Sequence, residues 1–362
     1  MAMELHWFLP SHGDGRELAE RRSADKETRV TRRRPTMSYL TQVAMAADEL
    51  GFASVLTPTG LFCEDAWLVA AALAERTSRL KFMIALRPGM LMPPVAAQMA
   101  ATFQRISGNR LLLNVVTGGD PDEQRRYGDW LDHDERYARA EEFLAVLGGM
   151  WGGQPYDFEG AHYHVRSALL TRPPKMPPTV FLGGSSPAAQ RVAAARADVY
   201  LAWGETPAKI AELLKSARRQ AESHGRTLRM GTRLHVIARD TSAAAWAVAE
   251  ELLHGMDDAA IEAAQRRFSR SESEGQRRAA ALHGGDRANL EVYPNVWAGY
   301  GLLRPGAGAA LVGSHEEVAD RLAEYHAVGA DHFILSGQPH LEEAYNVAEG
   351  VLPLLRKRGL LT

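Results

Sequence analysis

The sequence predicts a closed (β/α)8 TIM barrel with insertions, formed by residues 1–362 as a single domain. Three observations carry that reading. Short apolar runs bounded by glycine or proline recur along the chain, and such a run is a strand buried on both faces. Each run is followed by sequence with helical spacing, and strand-helix alternation makes a parallel sheet. Eight such units close a barrel. A doubly wound open sheet is the alternative. No Gly-x-Gly-x-x-Gly follows the first strand, which counts against a dinucleotide fold.

Strand Glu4–Leu9 comes first, stopped by Pro10 and the turn Ser11-His12-Gly13-Asp14-Gly15. Residues 16–34 carry dense charge, including Arg32-Arg33-Arg34, with almost no apolar side chain, and read as a solvated loop rather than a binding arm. Helix Tyr39–Leu50 ends at Gly51, which suits the left-handed position after a helix. Strand Ala53–Leu56, helix Glu64–Ala74, strand Leu80–Leu86 and helix Val95–Arg105 follow. Strand 111–116 is the most informative, because Asn114 is a lone amide in an apolar run that ends in Thr117-Gly118-Gly119-Asp120. A buried amide without partners costs roughly 1–3 kcal/mol. The pattern therefore points to a ligand at the strand's carboxyl end.

Helix Glu135–Trp151 precedes a Gly- and Pro-rich excursion, 152–177, that holds a small hairpin. Strand Val180–Leu182 leads into a helix from Pro187, and strand Val199–Ala202 into helix Pro207–His224. Strand Arg233–Ala238 and helix Ala243–His254 come next. Residues 268–310 are rich in Arg, Gly and Ser and break the rhythm. Helix Glu316–Val328, strand Phe333–Ser336 and helix Leu341–Leu355 restore it.

Composition excludes several classes of function. A formal charge of −2 gives no field that would draw nucleic acid or an anionic membrane. Cys63 is the single cysteine, so no intrachain disulfide can form, and a reducing compartment is expected. No apolar run reaches the ~18–20 residues of a membrane span. The amino-terminus shows no basic segment followed by an apolar one, so a cytoplasmic protein is expected.

A barrel of this kind places its active site at the carboxyl ends of the strands. Those ends collect His12, Cys63, Arg87, Asn114, Thr117 and the pair Ser185-Ser186. Trp203, Arg233, His235, Ser336 and His340 complete the face. Gly183-Gly184-Ser185-Ser186 opens a helix, where glycines admit a phosphate and free N–H groups and the helix dipole favour it; a plain helix cap explains the serines equally well. Arg233 and His235 lie two apart on one strand and share a face, so an inward Arg needs either a bound anion or a buried carboxylate. Cys63 stands at a helix start, where the dipole can lower its pKa, although its apolar context suits an inert thiol. No histidine or carboxylate spacing of a metal site is present, and no Gly-x-Ser-x-Gly elbow, which disfavours a metal enzyme and a serine hydrolase. The residues alone define a phosphate-bearing ligand and a second anionic group, and do not name the reaction.

Several runs resemble the reduced-FMN-dependent alkanesulfonate monooxygenases of the bacterial luciferase-like superfamily. They include Trp-Phe-Leu-Pro-Ser-His-Gly-Asp-Gly at 7–15, Cys-Glu-Asp-Ala-Trp at 63–67 and Ala-Leu-Arg-Pro-Gly at 85–89. Asn-Val-Val-Thr-Gly-Gly-Asp-Pro at 114–121, Asp-His-Asp-Glu-Arg-Tyr at 132–137 and Gly-Gly-Ser-Ser at 183–186 follow. Tyr-Leu-Ala-Trp-Gly-Glu at 200–205, Arg-Leu-His-Val-Ile at 233–237, Asn-Leu-Glu at 289–291 and Pro-His-Leu-Glu-Glu-Ala-Tyr at 339–345 complete the set.

The resemblance implies a (β/α)8 enzyme that takes reduced FMN from a separate NAD(P)H-dependent FMN reductase. With O2 it would oxygenate a sulfonate, so that the C–S bond breaks and sulfite and an aldehyde leave. It assigns Asn114, Thr117, Tyr137, Gly184, Ser185 and Ser186 to the flavin, the tyrosine and the serines towards its phosphate. It assigns Arg233, His235, Arg304, His340 and Cys63 to catalysis, and His12, Trp203 and Gln338 to the substrate pocket. It makes 268–310 a mobile lid that carries Arg304 and keeps water from the reacting flavin. A homo-oligomer, dimer or tetramer, is expected, with no nucleic-acid or membrane partner.

Two positions depart from the family. Leu61-Phe62-Cys63 stands where it has Arg-Ser-Cys, and Gln338 where it has Tyr. These departures point to a substrate more polar along its body, or less anionic, than a plain alkanesulfonate. The same chemistry on a sulfone, a sulfosugar or a nitrogenous compound is the nearest alternative. A flavin-binding protein without turnover is a further one, disfavoured because storage needs no second anion site.

Overall fold

The computed structural model describes residues 2–16, 32–254 and 258–361. Eight parallel strands form a closed barrel: β1 (Glu4–Phe8), β2 (Ser54–Thr57), β3 (Lys81–Leu86), β4 (Leu111–Val115), β5 (Thr179–Gly183), β6 (Val199–Trp203), β7 (Arg229–Arg239) and β8 (His332–Ser336). Each pairs with the next, and β8 closes on β1 with Glu4 opposite His332 and Trp7 opposite Leu335. All eight strands read from the sequence are present, displaced at their ends by a few residues. The apolar runs are buried on both faces because one face meets the helices while the other fills the barrel. Phe8, Leu56, Met83, Leu112, Phe181 and Ile334 lie in the cluster that packs the interior.

Helices cover the outside and turn the chain back for the next strand. Helix Met37–Leu50 is capped by Thr36 and ends at Gly51 with φ 88°, a left-handed conformation that glycine adopts without strain. Helix His133–Trp151 starts with a reciprocal capping box between Asp132 and Glu135. The excursion after it carries the expected hairpin, Tyr156–Glu159 against His164–Ala168. Among the described residues, no helix is long and apolar enough to cross a membrane.

Two expectations are corrected. The helix after β2 starts at Ala66 with Asp65 as its cap, so Cys63 lies in the preceding loop. Segment 268–310 is regular: helix Asp258–Phe268 runs into it, helix Glu274–His283 lies inside it, and the short strands Glu291–Tyr293 and Val296–Trp297 follow. Ala310–Ser314 then pairs in parallel with the second half of β7, extending that strand beyond the barrel rim. The charged segment read as a solvated loop lies mostly outside the described residues. Its far end returns as Arg32–Arg33, paired antiparallel with Asp14–Gly15.

Candidate active site

One side of the barrel mouth is built from the ends of β4 and β5. Ser186 caps helix Pro187–Arg196, its Oγ accepting from the Ala189 N–H at 3.2 Å, and Ser185 precedes it. Gly184 has φ 145°, and a Cβ there would stand 2.4 Å from the Tyr137 hydroxyl and 2.6 Å from the Ala189 Cβ, so only glycine fits. The buried Tyr137 phenol donates to the Gly183 carbonyl at 3.4 Å, with Thr117 and Ser186 beside it, and burial raises its pKa. Thr117, Tyr137, Gly184, Ser185 and Ser186 are thus brought together at a helix amino-terminus, a geometry that accepts an anion. On β4, the Asn114 Oδ1 is buried with no hydrogen-bond partner.

The other side is built from β1, β7, β8 and the loops after them. Arg233 lays its guanidinium over the Phe8 ring at 4.4 Å, and its Nε is buried without a hydrogen bond. Burial, aided by the neighbouring Arg304 charge, lowers its pKa to about 10, so it stays a cation at neutral pH. Among the described residues no acidic side chain compensates it. Of the two ways to keep an inward Arg, a bound anion or a buried carboxylate, the second is absent there.

Arg304 follows the turn Gly299–Leu302 and meets Gln338. With its amide turned so that oxygen faces the guanidinium, Gln338 accepts from both Nη atoms at 2.5 and 2.7 Å. A neutral amide thus meets the fork of Arg304.

The two histidines differ. In His235, Nε2–H donates to the Ala307 carbonyl at 3.0 Å. Its bare Nδ1 accepts from the Ser336 hydroxyl at 2.9 Å. The ring stacks on Tyr300 with centroids 3.9 Å apart. Burial, with Arg233 and Arg304 alongside, holds its pKa well below the usual value. Both nitrogens are therefore engaged, and His235 fixes the loop around residue 307. His340 instead donates from Nδ1 and from its backbone N–H to the two oxygens of Asp14, at 2.8 and 2.7 Å, which leaves Nε2 as the nitrogen able to exchange a proton. Asp14 is fully buried and also accepts from the Tyr39 hydroxyl and the Gly15 N–H. These donors and the His340 charge, working against burial, bring its pKa down to about 2. Arg33 binds Glu342, two residues after His340, and Tyr39, tying the base of the charged loop to this helix.

The remaining expected residues fall as follows. His12 packs edge-on to Phe8 and Phe62, with ring centroids 6.2 and 5.9 Å away. Trp203, at the end of β6, lies under Gly275 of helix Glu274–His283, where a Cβ would come within 3.0 Å of the indole. Cys63 lies beside Ser11, and burial pushes its thiol up to about 11. Of the two readings of this cysteine, burial favours the inert thiol. Arg87 is a structural partner of Glu123 and Gln124, each at 2.8 Å. Leu61 is 53% exposed.

Segment 271–278 covers the mouth. The Arg278 fork binds the buried Glu205 at 2.5 and 3.0 Å, and Arg136 binds Glu272 at 2.6 Å. Ser271 and the Glu272 N–H both bond the Gly119 carbonyl, at 2.8 and 3.0 Å. Sequence reasoning missed Asp14, Glu205 and Tyr300. Asp14 reads as a turn aspartate, and only its proximity to His340, 326 positions away, reveals its part.

A closed barrel whose carboxyl-terminal mouth joins an anion cradle to a buried arginine and a carboxylate-held histidine is built as an enzyme. Residues 3–332 match the luciferase-like monooxygenase family, and the chain belongs to that family. Among solved structures it is similar to a riboflavin lyase described with modified FMN and riboflavin, at 20% identity and a TM-score of 0.81 over 100% of this chain and 93% of that one. It is also similar to EDTA monooxygenase from Chelativorans sp. BNC1, at 21% identity and a TM-score of 0.76 over 100% and 95%. A third is the oxygenating constituent of 3,6-diketocamphane monooxygenase from Pseudomonas putida, in complex with FMN, at 19% identity and a TM-score of 0.71 over 98% and 99%. At these identities the likeness is one of fold.

Proposed function

We propose that the protein is the oxygenase of a two-component system. It takes reduced FMN from a separate NAD(P)H-dependent reductase and, with O2, oxygenates an organosulfonate, breaking the C–S bond to give sulfite and an aldehyde. The observation that carries this reading is Arg233, a desolvated cation in the mouth with no compensating acid among the described residues. A bound anion offsets the cost of burying it, and the oxygens of a sulfonate suit a guanidinium fork. Arg304, held by the neutral Gln338, adds a second fork.

The residues present also fit the flavin. Tyr137, Gly184, Ser185 and Ser186 would hold its phosphate, and Asn114 and Thr117 would meet polar atoms of its ring. When bound, reduced FMN supplies the electrons that activate O2. The protein's own groups do the rest. Arg233 and Arg304 would orient the sulfonate, and His340, fixed by Asp14, would take or give a proton at Nε2. Segment 271–278 would exclude water. Cys63, a neutral thiol over the working pH range, would act by packing and as a weak donor.

Turnover with an FMN reductase, NADH and O2 over a panel of alkyl, hydroxylated and nitrogen-bearing sulfonates tests the reading. Sulfite is expected from at least part of the panel, and little from Arg233→Ala. Hydrogen peroxide as the sole product throughout would overturn the sulfonate assignment.

A further inference from the structure

We propose that the opposite, amino-terminal end of the barrel carries a divalent-metal site made by Glu4, His6 and His332, suited to Zn2+. Glu4 and His6 lie two apart on β1 and share a face, and His332 is the register partner of Glu4 on β8. One ligand atom from each lies within 4.8 Å of the others. His6 Nε2 and His332 Nδ1 are 3.0 Å apart, and His332 Nδ1 is 4.0 Å from Glu4 Oε2. Tetrahedral Zn2+ with bonds of ~2.0–2.1 Å separates its ligands by roughly 3.3 Å, between those two distances.

The surroundings are those of a ligand set. Two ring nitrogens point at each other, and their contact accommodates a single proton, which a cation would replace. The other nitrogen of His6 is oriented by Ser54 Oγ at 2.8 Å, and Glu4 Oε1 is held by Arg229 at 2.8 Å, leaving Oε2 for the metal. Phe181 packs its ring edge-on to both imidazoles, giving the site an apolar wall. Gly231 makes room, since a Cβ there would stand 2.9 Å from the His332 Cβ. Lys81 and Arg229 add positive charge nearby and limit the affinity. The site joins the first and last strands of the barrel, at the end where conserved features serve stability rather than catalysis. Bound metal would therefore pin the closing seam.

Chelator-stripped protein without flavin is titrated with Co2+ and followed by visible d–d absorption, then competed with Zn2+. Intense bands of four-coordinate Co2+ are expected, with a thermal midpoint that rises with metal concentration. The bands should vanish in His332→Gln and need roughly tenfold or more Co2+ in Glu4→Gln, a half-buried position that keeps the variant folded. Absence of the bands in the wild-type protein, or their persistence in both variants, would overturn the site. The readout uses neither flavin nor turnover, so it is independent of the proposed reaction.

Discussion

Replacing Asp14 by Asn should cost roughly 2–3 kcal/mol of stability, a figure reached by two routes. The Asp14 carboxyl moves from its ordinary 3.8 to about 2 in the folded protein. At ~1.4 kcal/mol per tenfold change, the fold prefers the ionised group over a neutral one by roughly 2–3 kcal/mol. Asn is close to that neutral form. Its single acceptor oxygen also has to replace two that receive Gly15 N–H, His340 Nδ1–H, His340 N–H and the Tyr39 hydroxyl. Its NH2 must therefore face a buried donor, at about 1–3 kcal/mol. Urea unfolding near neutral pH, followed by tryptophan fluorescence, measures the loss. The folded carboxylate binds its proton less tightly than the unfolded one. The wild-type advantage is therefore complete above the ordinary aspartate range and shrinks as pH falls from about 4 towards 2. A loss below about 0.5 kcal/mol, or one that grows on acidification, would refute the reasoning.

Three further outcomes are expected. Ser185→Ala should weaken anaerobic binding of reduced FMN by about 1–2 kcal/mol and leave reduced riboflavin unaffected, and equal weakening of both would count against a phosphate at the cradle. Arg304→Ala should lower coupled turnover and raise hydrogen peroxide while reduced FMN still binds; a variant that stays coupled would remove Arg304 from the substrate pocket. Cys63, with its thiol pushed up to about 11, should resist iodoacetamide near neutral pH and react only as pH approaches that value, which a pH series of alkylation rates checks.

The barrel was legible because its signal is local. Leu111–Val115 and most of the other strands are apolar runs closed within a few residues by Gly, Pro or Ser, and every strand read became a strand. The stretch 258–310 was less so, because its helices bury few large apolar side chains. Helix Glu274–His283 buries Gln276, Ala279 and His283. The pairing of Ser273 with Gln276 and the left-handed Gly284 are capping signals that outline this helix in the sequence.

The strand ends gave the mouth residues by direction alone, as with Arg233 and His235 on one face of β7. Partners distant in sequence stayed hidden. Asp14 meets His340, Gln338 meets Arg304, and Glu4 and His6 meet His332 only through barrel closure.

A single turnover under 18O2 tests the central claim most directly. The protein is loaded anaerobically with reduced FMN, mixed with each sulfonate of the panel, and exposed to the labelled gas. For a true substrate the account predicts one sulfite per flavin oxidised and one labelled oxygen atom in the aldehyde. Flavin oxidation that yields only labelled hydrogen peroxide, with no sulfite from any sulfonate, would contradict it.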